Sequence, residues 1–135
     1  MKSSSVLHLI CQDIFFALSI KDLVEVLDKV ELNPIFNTLE SIKGVFYYRG
    51  KIVPLIDLSL KLFNKRETSK LARIVVVNQN GFYTGLYVDK IKMVLDYQKL
   101  IDSNITKYTK KKFQLNQNDY HLLDIEKLIN DFIID

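Results

Sequence analysis

The sequence predicts a mostly-β barrel fold carrying one or two short helices. Three observations lead there. Apolar runs of strand length, rich in β-branched and aromatic residues, recur at 6–10, 14–18, 44–49, 51–56, 73–77 and 82–88. Several of these runs are only two to five polar residues apart, which is hairpin spacing. Clear helical periodicity is confined to two stretches, near 57–63 and 124–133.

The elements follow in chain order. VLHLI at 6–10 and IFFAL at 14–18 read as the opening strands, with Gln12-Asp13 closing the first run. His8, between Leu7 and Leu9, is expected on the solvent side of its strand. Ser19 to Leu27 fits two templates: Ile20, Leu23, Val24 and Leu27 suit a helix, whereas Val24 and Val26 suit a strand. GVFYYR and KIVPLI form a hairpin about Arg49-Gly50-Lys51, with Gly50 at the tight turn. Pro54 has no ladder donor, so its run is expected on an edge or at a bulge. Asp57 is a candidate N-cap for the helix over 57–63. RIVVV and FYTGLYV flank Asn80-Gly81, the strongest short-range hairpin signal, because both residues tolerate positive φ. Ile125, Leu128, Ile129, Phe132 and Ile133 place an amphipathic stripe on the C-terminal helix.

Composition bounds the function. A chain of 135 residues suits one domain, 1–135, and 48% hydrophobic with 26% charged residues is the ordinary globular balance. Nineteen basic against 16 acidic residues leaves +3, too weak to name nucleic acid or membrane as a partner. One cysteine excludes a disulfide scaffold or a cysteine-cluster zinc site within the chain. The opening MKSSSVLHLIC is too short and too polar for a signal peptide or a span, so a cytoplasmic location is expected.

Catalytic candidates are few. His8 and His121 lie in no metal-ligand spacing, and four glycines build no phosphate-binding loop. Cys11 lacks an activating turn or helix N-terminus and is expected to be a buried structural thiol. No catalytic residue, metal or cofactor is expected. Charge patterning says more than its sum: seven lysines between 90 and 112 face two aspartates, and five acids after 113 face only Lys127. The stretch Lys107-Tyr108-Thr109-Lys110-Lys111-Lys112-Phe113 admits two readings. One is a basic, aromatic-flanked loop that grips nucleic acid; the other is a solvated loop offset by the acidic tail. Arg49 likewise reads either as an exposed turn arginine or as a planar fork at the rim of an apolar, partner-binding patch.

Three ordered blocks carry a resemblance. Ile42-Lys43-Gly44-Val45 with Tyr48-Arg49-Gly50-Lys51-Ile52-Val53-Pro54-Leu55-Ile56-Asp57-Leu58 is similar to the signature of the CheW-like domain, the adaptor of bacterial chemotaxis arrays. Arg73–Val77 followed by Gly85-Leu86-Tyr87-Val88-Asp89-Lys90-Ile91 resembles a second block of that family, and Leu122–Leu128 a third. Phe16–Leu18 and Val24-Glu25-Val26 fit its opening strands, so the resemblance spans nearly the whole chain. Departures are Tyr47-Tyr48 where the family has Asn-Leu, Leu39 where it has proline, and Lys110–Asn116 where it has a glycine-bearing turn.

The resemblance implies two small SH3-like β-barrel subdomains with an apolar groove between them. It implies a non-catalytic adaptor that couples chemoreceptors to a CheA-type histidine kinase. The partners would be that kinase's regulatory domain and the cytoplasmic helical hairpin of a receptor, with the membrane reached only through receptors. Carried over residue by residue, Arg49 forms a charge-assisted contact with the partner and Glu25 is a polar rim group. Gly44 and Gly50 permit the hairpin's backbone geometry and close approach, and Val88 joins the apolar contact. Asp89 is either a contact residue or bonds turn amides. Tyr47 and Tyr48 are candidates for partner-specific binding, although strand alternation turns one of them inward.

Overall fold

A computed structural model describes residues 4–35 and 40–134; Leu39 and the side chains of Phe132 and Ile133 lie outside the described residues. The strands are β1 (Ser5–Cys11), β2 (Ile14–Ser19), β3 (Leu23–Leu27), β4 (Ile42–Tyr48), β5 (Lys51–Asp57), β6 (Arg73–Gln79), β7 (Phe82–Val88), β8 (Lys90–Asp96), β9 (Ile101–Asp102), β10 (Lys111–Leu115) and β11 (Asn118–Leu122). The helices are α1 (Leu58–Phe63) and α2 (Ile125–Ile134). The first sheet has the order β8-β1-β2-β11-β10-β9 and the second β3-β6-β7-β5-β4. All recorded pairings are antiparallel except β2 with β11 and β5 with β7. The mostly-β expectation holds, in two units.

Strand alternation explains why so many runs are continuously apolar. In β6, Ile74 and Val76 point into a cluster enclosed by the second sheet, with Phe46, Tyr48, Val53 and Leu55. Val75 and Val77 point the other way, into a layer shared with Leu7, Leu9, Cys11, Phe16 and Leu18 of the first sheet. A third cluster, including Val6, Ala17, Phe113 and Tyr120, fills the first sheet. Each sheet therefore packs its own interior and also packs against the other. Strands buried on both faces lose the polar alternation of a half-solvated sheet.

That double burial corrects the expectation for His8. It is 6% exposed rather than solvent-facing, because it lies on the Val6 side of β1. Its ring meets Phe15 and Tyr120 edge-on, with centroids 4.6 and 4.8 Å away. Burial, and then the charge of Lys92, holds its pKa below the ordinary 6.5. His121 is also held low, first by burial and then by Lys112. Both rings are therefore kept neutral in the fold. Below pH 6.5 the unfolded chain takes up protons that the folded chain refuses, so stability is full above that pH and falls as pH drops toward the lowered folded values. Urea midpoints are expected to decline between pH 7 and pH 5, and His8→Leu to flatten part of that decline.

Four two-residue loops close the hairpins: Gln12-Asp13, Arg49-Gly50, Asn80-Gly81 and Asn116-Gln117. All eight central residues have positive φ, the type I′ geometry that matches strand twist. Asn116-Gln117, at the end of the Lys110–Asn116 stretch, makes the β10–β11 turn without glycine. Pro54 lies on neither an edge strand nor the recorded β4 bulge between Ile42 and Gly44. The strand β5 is interior, but its pairing to β7 begins at Leu55, so the missing N–H falls just before the doubly paired stretch. Ser19–Leu27 resolves as a 3-10 turn over Ile20–Asp22 followed by β3.

Both predicted helices form. Asp57 caps α1, its Oδ1 accepting from the Leu60 N–H at 3.2 Å, while Oδ2 accepts from the Glu67 N–H at 3.0 Å. Asp124 caps α2 through the Lys127 N–H at 3.1 Å. The α2 stripe seats Ile125, Leu128 and Ile129 in the layer between the sheets. Cys11 is fully buried there, and burial pushes its thiol up to about 12, as expected of a structural cysteine.

Candidate partner-docking face

The β4–β5 hairpin positions the candidate site. Its two-residue turn pairs Tyr48 with Lys51 and Tyr47 with Ile52. Alternation then sends Tyr48 inward, 7% exposed, and Tyr47 outward, 74% exposed. Ile52, opposite Tyr47, is 65% exposed, so the two form a paired apolar surface beside the turn. Sequence reading missed Ile52, although the register follows by counting back from Arg49-Gly50.

Three predicted residues come together. The Tyr48 hydroxyl donates to Glu25 Oε1, and Arg49 Nη2 donates to the same oxygen at 3.1 Å. The Arg49 guanidinium also lies 5.0 Å from the Tyr48 ring centroid. Burial first, and then the bond to Glu25, holds the Tyr48 phenol above its ordinary pKa, which keeps the proton that Glu25 accepts. Glu25 comes from β3 and meets the hairpin from the opposite edge strand of the second sheet's order. Arg49 has φ 50°, an uncommon conformation for a non-glycine residue, and its side chain stays 65% exposed. Glu25 uses one oxygen for both bonds and leaves donors of the guanidinium fork uncommitted.

The remaining residues lie elsewhere. Gly50 shares the turn, with φ 79° and no atom within 4 Å of an added Cβ. Gly44 sits toward the other end of β4, at φ 148°, where an added Cβ would stand 2.5 Å from the Asn33 carbonyl oxygen. Asn33 and Val45 exchange two backbone hydrogen bonds there, both 2.8 Å. Val88 has no exposed surface and belongs to the layer between the sheets. It does not offer the apolar contact surface that was expected, because β7 is buried on both faces. Asp89 is half-buried in the bend after β7, beside the Cys11 thiol.

Between the sheets the apolar surface is mostly closed into the shared core. One open cleft, about 530 Å³, is lined by Leu122, Leu123 and Ile125 and, from the second sheet, by Gln79, with Lys21, Asp22 and Lys110 at its rim. The expected groove is therefore mixed in character at its mouth. The lysine-rich loop is largely committed to ion pairs: Lys107 with Asp131 at 3.2 Å, Lys111 with Asp102 at 2.7 Å and Lys112 with Asp119 at 2.9 Å. Its flanking aromatics, Tyr108 and Phe113, are each 2% exposed, so neither offers a face to a base. The solvated-loop reading fits, with the acidic tail supplying Asp131.

A two-sheet β scaffold with a tethered hairpin arginine is the class of domain these features define, and comparison with known proteins agrees. The family model of the CheW-like domain matches residues 5–132, and the chain belongs to that family. It is 26% identical to the chemotaxis protein CheW of Thermotoga maritima over 140 aligned positions, covering 99% of this chain and 93% of that one. It is 31% identical to the chemotaxis protein CheW of Helicobacter pylori over 77 positions, covering 56% and 47% of the respective chains. The crystal structure of the scaffolding protein TtCheW from Thermoanaerobacter tengcongensis superposes with a TM-score of 0.82 at 26% identity, covering 90% of this chain and 89% of that chain.

Proposed function

We propose that this chain is a cytoplasmic, non-catalytic adaptor that couples chemoreceptors to a CheA-type histidine kinase in a bacterial chemotaxis or motility array. Family membership and likeness to a scaffolding protein support the adaptor role. Among the described residues no group of three or more ligating side chains could hold a metal, and no helix is long and apolar enough to cross a membrane.

The observation that carries the reading is the Glu25–Tyr48–Arg49 cluster beside exposed Tyr47 and Ile52. A guanidinium tethered on one side and open on the other meets a carboxylate or carbonyl of the kinase regulatory domain in a fixed orientation. The aromatic–aliphatic pair supplies the apolar contact next to it. The cleft between the sheets, with aliphatic walls and a charged mouth, takes the amphipathic receptor hairpin. Holding both partners at once turns a receptor displacement into a bias on the kinase, a coupling of about 1–3 kcal/mol. Cosedimentation tests this directly. Kinase is expected to pellet with receptor-containing membranes substantially more when this chain is added, and an unchanged pellet contradicts the reading.

A further inference from the structure

At the end of the second sheet opposite Arg49, an open bowl of about 590 Å³ lies over the enclosed core. We propose that this bowl docks an acidic segment of a partner protein, which seats one large apolar side chain against Leu32, Leu71 and Tyr87, above a closed floor of Leu55 and Ile74. The inference goes beyond the adaptor reading and does not rest on it. Leu55 and Ile74 are 2% and 3% exposed and close the floor, while Leu32 and Leu71 on the walls are 37% and 65% exposed.

The rim selects the sign of the partner. Lys29, Lys43, Lys70 and Arg73 surround the bowl against one acid, Asp28, which Arg73 engages at 2.9 Å. Among the described residues, no ion pair engages Lys29, Lys43 or Lys70. The Lys43 ammonium stands 4.7 Å from the Tyr87 ring centroid, which holds a positive charge over the edge of the floor. An apolar recess ringed by three lysines that no ion pair engages is complementary to a hydrophobic residue flanked by aspartate and glutamate.

The test titrates the ¹⁵N-labelled chain with a blocked twelve-residue peptide of aspartate and glutamate around one central phenylalanine. Saturable shifts at the amides of Lys43, Leu55, Ile74 and Tyr87 are expected. Lys29→Glu/Lys70→Glu should weaken binding about tenfold or more, and Leu71→Asp should weaken it too, whereas Arg49→Ala should leave it unchanged. These positions are exposed, so retention of the folded spectrum is checked in the same experiment. Absence of shifts overturns the proposal. So does equal affinity of the charge-reversed variant, or of a peptide with alanine in place of phenylalanine. Binding to phosphatidylglycerol vesicles that is lost in the charge-reversed variant, without peptide binding, assigns the rim to membranes and overturns it as well.

Discussion

Gly44→Ala is expected to destabilise the fold by about 2–4 kcal/mol, the largest effect of any single-methyl change considered for the docking hairpin. Two costs add. At φ 148° an L side chain is strained whatever space surrounds it, and here there is none. The new Cβ would lie 2.5 Å from the Asn33 carbonyl oxygen and 3.0 Å from Leu32 Cγ, so the backbone at 32–33 must retreat. Its retreat stretches the two hydrogen bonds that tie Asn33 to Val45. Gly50→Ala gives the contrast. It meets no atom within 4 Å, so only its positive φ is penalised, at about 1–2 kcal/mol. Urea denaturation of both variants checks the pair. A Gly44→Ala stability within about 0.5 kcal/mol of wild type contradicts the close approach. If the predicted loss is found, impaired binding by Gly44 variants reports a displaced segment rather than a lost contact.

Arg49→Ala is expected to do the reverse, with little change in stability and a large loss of partner binding. The Arg49–Glu25 pair is exposed at 65% and 40%, and exposed ion pairs contribute about 0–1 kcal/mol. A guanidinium central to a docking face is worth about 2 kcal/mol or more, roughly thirtyfold in affinity. Glu25→Lys should damage binding as well, because it replaces the tether with a like charge beside the guanidinium. Tyr48 should sense that change: without Glu25, its buried phenol loses the acceptor that satisfies it. Glu25→Gln, which keeps an acceptor oxygen for Tyr48, is expected to retain more binding than Glu25→Lys.

Local signals were readable wherever one face or one turn decided the structure. Asn80-Gly81 and Arg49-Gly50 specify their hairpins, Asp57 caps its helix, and the α2 stripe points to the core. What escaped notice depended on the second face. His8 looked solvent-facing because a single polar residue among aliphatics suggests alternation, and only the ring contacts with Phe15 and Tyr120 show the interior it enters. Strands β8, β10 and β11 were missed by pattern. β8 and β10 carry lysines on exposed positions and β11 opens on Asn118-Asp119, so hydrophobic periodicity is diluted in all three. Gln12-Asp13 and Asn116-Gln117 lack glycine, yet the strands they join force the same left-handed turn.

The site was legible only in part, for a related reason. The arginine and its carboxylate are separated by 24 positions and meet through strand order, which no local pattern encodes. The family resemblance supplied that pairing of candidates but also supplied Val88, whose burial follows from β7 packing on both sides. Tyr47, by contrast, is a candidate from the sequence, and alternation about the turn leaves it as the exposed member of the pair.

The most direct measurement is a binding titration of wild type and Arg49→Ala against the CheA-type kinase regulatory domain from the same organism, with thermal melts run in parallel. Wild type is expected to bind tightly and the variant roughly thirtyfold more weakly, with melts that nearly coincide. Equal affinities for the two proteins would move the docking face away from Arg49, and no binding by wild type would contradict the coupling role itself.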